Sequence, residues 1–236
     1  MERRSNYIER KTDYIERTAQ SNLVSVRGKI GKPPVRQYGN GKVNYYSTVV
    51  EVKRGNDHVD KIPVLFSDRT IDVAACYIGK IVEIRGQFHS YNQRTGSEHH
   101  LRLYVQARTM FFPVERKTLP RNQILLDGYI CRPPQYRKTP LNKEITDLLL
   151  AVNRFHAEAD YIPCICWQKE ARLAYSLEVG SHILIRGRIQ SREYTKKLEN
   201  EATETRTAYE VSVMNLKSIE PVPENENGIA FLKKLM

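Results

Sequence analysis

The sequence predicts an all-β protein made of two consecutive copies of one small barrel. Three observations predict this class: a block-by-block repeat at an interval of 100 residues, apolar residues that alternate along short segments, and glycines inside those segments. Alternation with a period of two is typical of strands that are buried on one face. Glycine weakens strand pairing and is typical of the sharp bends that a small closed barrel requires. The strand glycines Gly28, Gly86, Gly128 and Gly187 therefore favour a barrel over a flat sheet.

The repeat consists of four blocks that recur in the same order. Residues 24–34 return as residues 124–134, each with a glycine inside the strand and a Pro-Pro pair behind it. The other pairs of blocks are 50–54 with 150–154, 62–65 with 162–165 and, after one extra residue, 79–86 with 180–187. Four blocks in one order indicate a duplicated domain.

Each copy predicts five strands with a short helix between the third and the fourth. The apolar residues that predict the helix precede a glycine in both copies. They are Ile71, Ala74, Ala75 and Ile78 before Gly79 in the first copy, and Leu173, Ala174 and Leu177 before Gly180 in the second. Five strands with a helix after the third is the order of an OB-fold. A sandwich without that helix is the competing architecture.

The predicted domain boundaries follow from the repeat. Residues 21–112 form the first OB-fold domain and residues 123–220 the second, and the proline-bounded segment 113–122 links them. Residues 1–20 contain Tyr-Ile-Glu-Arg twice at heptad spacing. This predicts a helical extension packed on its own barrel, since two heptads are too few for a coiled coil. Residues 221–236 are predicted to form a C-terminal tail.

The charge balance favours a polyanionic partner. There are 38 Lys and Arg residues against 27 Asp and Glu, a formal net charge of +11. A basic protein without a nucleic-acid partner would fit the same balance. No metal-ligand spacing, phosphate-binding glycine loop or nucleophile–base pair is present, so we expect no enzyme activity, no metal and no cofactor. The cysteines are expected to be reduced, with Cys164 and Cys166 facing the core.

No apolar run is long enough to span a bilayer, and the first residues lack the apolar centre of a signal peptide. We therefore expect no membrane partner and a cytoplasmic, nucleoid-associated protein.

The second copy resembles the bacterial single-stranded-DNA-binding protein family from about residue 123 to residue 220. The blocks that carry the resemblance are the opening strand 124–134, the second core strand 148–155, the third strand 161–169 and the fourth strand 180–194. The resemblance implies four positions at which aromatic rings stack on bases. In this chain these are Phe155, Tyr161, Trp167 and Tyr194, whereas the first copy departs from the pattern with Gly55, Lys61, Ser67 and residues 91–93.

The tandem arrangement resembles two-barrel members of that family. The resemblance implies sequence-nonspecific binding and protection of single-stranded DNA in replication, recombination or repair. It also implies a homodimer that presents four OB-folds, with replication or repair proteins as possible further partners. Residues 230–236 depart from the acidic-aromatic tip through which family members commonly recruit such proteins.

The alternation of side chains between the two faces of a strand, here called strand parity, supports this site independently of the resemblance. Tyr161 and Trp167 share one face of their strand, opposite to Ile162, Cys164 and Cys166. Stacking on such rings contributes about 1 to 3 kcal/mol per base, and cations beside them contact phosphates. The predicted phosphate contacts are Arg186, Arg188, Arg192, Arg154, Arg132, Lys169, Lys196 and Arg54.

Several alternatives stay open at this point. A single aromatic residue is more typical of core packing, and any one cation is more typical of a solvated surface. Tyr45 and Tyr46 of the first copy fit a weaker stacking platform and packing between barrels equally well. The whole chain would also fit a primosome-like scaffold that binds a replication or repair protein, or a protein that binds single-stranded RNA.

Overall fold

The computed structural model describes residues 21–39, 41–55, 58–95, 98–113, 119–154, 158–197 and 203–219. The predicted helical extension at 1–20 and the tail at 221–236 lie outside these residues. The described strands of the first repeat are β1 (Asn22–Ile30), β2 (Val35–Gly39), β3 (Asn44–Lys53), β4 (Val59–Ser67), β5 (Ile81–Thr95) and β6 (Glu98–Phe111). Those of the second are β7 (Arg121–Ile130), β8 (Gln135–Lys138), β9 (Glu144–Asn153), β10 (Ala159–Trp167), β11 (His182–Lys197) and β12 (Thr203–Ser218), with helix α1 (Lys169–Tyr175) between β10 and β11.

The strand pairings of each repeat close on themselves. In the first repeat β1 pairs with β3 and β5, β3 with β4, and β5 with β6, and a parallel contact between β4 and β6 completes the ring. In the second repeat β7, β9, β10, β12 and β11 are joined in the same way. The alternating apolar residues point inward, as Ile62, Val64 and Phe66 do on β4. Closure therefore buries one face of every strand in the ring.

Six strands, not the five expected from the sequence, are described in each repeat. The additional strands are β2, which pairs with β3, and β8, which pairs with β9. Every residue of β2 is exposed. An exposed strand needs no alternation of apolar and polar residues. The sequence of β2 therefore contains no pattern that predicts a strand.

The helix predicted in the first repeat is wrong. Residues 71–80 form turns there, and Ala74 N donates to Asp72 Oδ1 at 3.0 Å. Such a bond from an aspartate to a backbone group two residues on competes with the helical pattern. The β-branched residues Thr70, Ile71 and Val73 disfavour a helix further.

The second repeat does contain the helix, on a sequence of good helix formers. Its buried residues are Ala171 and Ala174, whereas Leu173 is exposed. Leu177 packs against the core beyond the end of the helix. The predicted apolar face was therefore only partly right, because the small side chains of Ala171 and Ala174, and not that of Leu173, are the buried ones.

The two repeats are joined by antiparallel pairing of their opening strands. The register runs from Asn22 opposite Leu126 to Arg27 opposite Arg121. Arg121 and Asn122 thus belong to β7, which corrects the predicted linker of 113–122 at its C-terminal end. Asn22 exchanges two hydrogen bonds with the backbone of Phe88, and Asn122 exchanges two with that of Ile189. The matching contacts indicate approximate two-fold symmetry between the repeats.

Cys164 and Cys166 are buried in the core of the second ring, as predicted. Burial raises the pKa of the Cys166 thiol to about 12 and that of Cys164 well above its ordinary value. Both thiols are therefore neutral near pH 7. Among the described residues, no helix has the length and apolar character that crossing a bilayer requires.

Candidate nucleic-acid interface

The outer face of β10 carries two of the predicted stacking residues. Tyr161 is 45% exposed and Trp167 is half-buried, while Ile162, Cys164 and Cys166 between them point into the core. Pairing with β9 places Ala151 opposite Tyr161 and Ile145 opposite Trp167. Both aromatic side chains therefore lie on the outer wall of the second repeat, as the alternation of side chains along a strand predicts.

The third stacking residue that the structure describes, Tyr194, lies on β11. It is 39% exposed, and the Arg192 guanidinium carbon lies 5.9 Å from its ring centroid. A cation near an aromatic face fits a surface on which bases stack beside phosphates. The fourth, Phe155, lies outside the described residues.

The predicted phosphate contacts divide into two groups. Arg132, Lys169, Arg186 and Arg192 are exposed. Lys196 is part of β11, but its side chain lies outside the described part of the chain. The remaining three, Arg54, Arg154 and Arg188, are half-buried at the junction between the repeats.

Two buried aspartates, one per repeat, lie beside these arginines and contact two of them directly. Asp160 Oδ1 accepts a hydrogen bond from Ser90 N at 2.6 Å, and its Oδ2 lies 2.7 Å from His89 Nδ1 and 3.5 Å from Arg154 Nε. Asp160 is 0% exposed, so these contacts replace its water. The aspartate therefore ties the second repeat to the β5 strand of the first.

Asp60, the corresponding aspartate of the first repeat, makes a similar set of contacts. Its Oδ1 accepts from Ser191 N at 3.0 Å and from Arg54 Nη2 at 2.7 Å. Burial, together with the charge of Arg54, lowers the pKa of Arg188 beside it. Arg54 and Arg154 therefore contact buried aspartates at the junction, and the phosphate contacts of all three arginines stay predictions.

The structure also reveals a cleft that the sequence analysis missed. It has a volume of about 1160 Å³ and opens between the β5–β6 hairpin of the first repeat and the β11–β12 hairpin of the second. Its aromatic lining residues are Tyr38, Tyr91, Tyr104, Tyr194 and Tyr209. Only Tyr194 was predicted as a site residue. Tyr91 belongs to the segment 91–93 that was set aside as a departure from the family pattern, whereas Tyr38, Tyr104 and Tyr209 lie away from the family's stacking positions and gave no signal.

The two open interpretations of Tyr45 and Tyr46 separate in the structure. Tyr46 packs against the core, with its ring 6.1 Å from that of Phe66. Tyr45 instead lies on the outer face and stacks on Tyr38, with ring centroids 4.8 Å apart and planes 26° apart.

The closed strand pairings and the exposed rings and cations on their outer wall place this chain in the OB-fold class of binding proteins. The pattern of the Single-strand binding protein family matches residues 121–219. The chain is 32% identical over 112 residues to the single-stranded DNA-binding protein B of Bacillus subtilis (strain 168), covering 44% of this chain and 96% of that protein. The chain therefore belongs to the single-strand binding protein family.

Other relatives are matched over less of their length. The chain is 40% identical over 80 residues to the single-stranded DNA-binding protein 1 of Lactococcus lactis subsp. lactis (strain IL1403), covering 31% of this chain and 53% of that one. It thus spans about half the length of the first curated relatives it matches, 53% and 48%. The wild-type single-stranded DNA-binding protein from Thermus aquaticus has a similar crystal structure, with a TM-score of 0.70 at 19% identity over 88% of this chain and 97% of that one. At this identity the likeness concerns the fold.

Proposed function

We propose that this protein binds single-stranded DNA without sequence preference and without catalysis. The observation that carries the proposal is the outer wall of the second repeat, where Tyr161 and Tyr194 are exposed and Trp167 is half-buried, with Arg192 over the Tyr194 ring. Aromatic rings stack on any base, because every base has a π-face. Arg132, Lys169 and Arg186 supply further exposed cations for phosphates. Protection of single strands in replication, recombination or repair, in the cytoplasm at the nucleoid, follows as the proposed role.

Each ring of strands is proposed to be a five-stranded OB barrel, with the sixth strand as an addition to its edge. The closed pairings and the glycines at strand bends support this assignment. Phe155 and Lys196 are kept as proposed contacts of the second barrel on the family resemblance alone.

A homodimer that presents four barrels is proposed on the same resemblance. We expect light scattering of the purified protein to give twice the mass of one chain. A mass of one chain at micromolar concentration would contradict the dimer and leave the binding site intact, because the site residues lie within one chain.

The stacking role of Trp167 can be tested directly, since it is the one tryptophan of the chain. We expect its fluorescence to be quenched by an unstructured DNA oligonucleotide of about 15 nucleotides, a length within the range for one OB-fold. Trp167→Ala should weaken binding roughly 5- to 150-fold, which corresponds to the loss of one base stack of about 1 to 3 kcal/mol. Anisotropy of a labelled oligonucleotide measures both proteins on one scale.

The control for this experiment is Tyr175→Ala. Tyr175 is also an exposed aromatic residue, but it lies on α1, where its ring contacts Tyr136. We expect its loss to leave affinity within about twofold, and both proteins should lose affinity steeply as salt rises. Equal affinities of wild type and Trp167→Ala, without quenching in the wild type, would refute the proposed function. Duplex DNA and RNA of the same sequence, used as competitors, measure the preference for single-stranded DNA.

A further inference from the structure

The first repeat has an aromatic pair where its family-type stacking position is lost. Ser67 on β4 occupies the place that Trp167 holds on β10, 100 residues later. The cross-strand partner of Ser67 is Tyr45 on β3, whereas the partner of Trp167 is Ile145 on β9. The first repeat therefore carries its aromatic residue on the neighbouring strand of the same outer face, since directly opposed residues share a face.

Tyr45 is extended into a platform by a second ring. Tyr38 on β2 lies opposite Tyr45, and the two rings are stacked at 4.8 Å. Tyr38 is 54% exposed, so its outer side is open to solvent. A pair buried for the sake of the core would not leave this much of a ring uncovered.

This platform borders the cleft between the repeats. Tyr38 lines the cleft together with Tyr91, which is 51% exposed and meets Tyr104 edge to face at 5.8 Å. Tyr194 and Tyr209 line it from the second repeat. Aromatic side chains from both repeats therefore line the same cleft.

The cleft is continuous with the proposed site of the second repeat. Pro163 lines it, and on β10 Pro163 lies two residues from Tyr161 on the face that also carries Trp167. A single strand that lies along β10 can therefore enter the cleft without leaving the protein surface.

The charges of the cleft suit a nucleic-acid backbone. Arg102, Arg206 and Glu204 line it, and Arg206 pairs with Glu204 at 2.7 Å, so the charged side chains of the lining are positive in balance. Tyrosine phenols are neutral near pH 7 and do not repel phosphate, and burial raises the pKa of Tyr104 and of Tyr209 further.

Direct contacts join the two repeats beside the cleft. Lys61 Nζ lies 3.0 Å from Glu193 Oε1, and Lys61 N donates to Ser191 Oγ at 2.9 Å. Together with the two buried aspartates, these bonds make the junction one packed unit. The platform and the second-repeat site thus lie on two repeats that direct hydrogen bonds connect.

We propose that Tyr38 and Tyr45 form a second base-stacking platform and that one single strand runs from the outer wall of the second repeat through the cleft onto it. This inference rests on the proposed function, because it extends the same strand. It assigns binding to a repeat that lacks the family's stacking residues, through rings at other positions.

The test uses two lengths of unstructured DNA, about 8 nucleotides to occupy the second repeat alone and about 35 nucleotides to reach both. We expect Tyr38→Ala/Tyr45→Ala to bind the long oligonucleotide at least about tenfold more weakly than wild type, from the loss of one or two base stacks. The affinity for the short one, followed by Trp167 quenching, should change less than about twofold. Tyr38→Phe/Tyr45→Phe keeps the rings and should bind both as wild type does.

A relocated fluorophore reports on the platform itself. In Tyr38→Trp/Trp167→Phe the single tryptophan lies in the cleft, and we expect the long oligonucleotide to quench it and the short one to leave it unchanged. Wild-type affinity of the alanine pair for the long oligonucleotide, with Trp167 still quenched, would overturn this inference and leave the proposed function standing. Absence of Trp167 quenching by either oligonucleotide would overturn the proposed function itself.

Discussion

Replacing Asp160 by alanine is expected to lower the free energy of unfolding by about 3 to 5 kcal/mol, the usual cost of removing one partner of a buried charged group. The carboxylate is fully buried and is contacted by Ser90 N, His89 and Arg154. Its removal leaves a buried backbone N–H without its acceptor and takes from Arg154 its buried carboxylate partner. Urea unfolding followed by circular dichroism measures the change.

Glu158 provides a matched control, because it contacts the same arginine. Glu158 contacts Arg154 at 3.5 Å, but its side chain is 68% exposed. An exposed pair of this kind contributes little, so Glu158→Ala should change stability by less than about 0.5 kcal/mol. Similar losses in the two variants would show that burial does not strengthen the Asp160 contacts. Asp160→Asn, which keeps an acceptor for Ser90 N, should fall between them.

Gly86→Ala is expected to destabilise the first repeat by about 2 to 3 kcal/mol, because the added methyl group has no room. A Cβ atom at Gly86 would lie 2.0 Å from the backbone oxygen of Gln106, and the β5–β6 register shifts between Arg85 and Gly86. The strands would have to separate at the bend that closes the ring. Thermal or urea unfolding measures the loss.

Gly55→Ala is the control for this substitution. A Cβ atom there meets nothing within 4 Å, so stability should be unchanged or slightly higher through the stiffer unfolded chain. Gly187, at the corresponding bulge of the second repeat, would place its Cβ atom 2.5 Å from Ser212 O. Gly187→Ala should therefore also destabilise, and a neutral result at both bulges would contradict the close-packing explanation.

The strands were predictable where burial on one face imposes alternation. The ring strands follow the apolar pattern of residues such as Ile62, Val64 and Ile162, and the repeat supplied the same prediction twice. The fully exposed strand β2 was not predictable in this way. The first-repeat helix failed because apolar spacing was taken as sufficient, although Asp72 and its β-branched neighbours favour turns.

The contacts between the two repeats correspond to a sequence feature that apolar periodicity does not detect. Asp60 and Asp160, Asn22 and Asn122, and Ser90 and Ser191 are polar residues kept at matching positions of the two copies. All of them make hydrogen bonds between structural elements. Identical polar residues inside repeated strands therefore indicate buried contacts, and the comparison of the two copies could have located them.

The sequence by itself determined the duplication, the inward faces of the ring strands and the outward positions of Tyr161, Trp167 and Tyr194, since strand parity and a repeat are local properties of the chain. Only the tertiary structure decided which cations remain exposed, that Tyr38 stacks on Tyr45, and that rings of both repeats share a cleft. These features depend on strand register and on how the repeats pack, which bring together residues far apart in the chain.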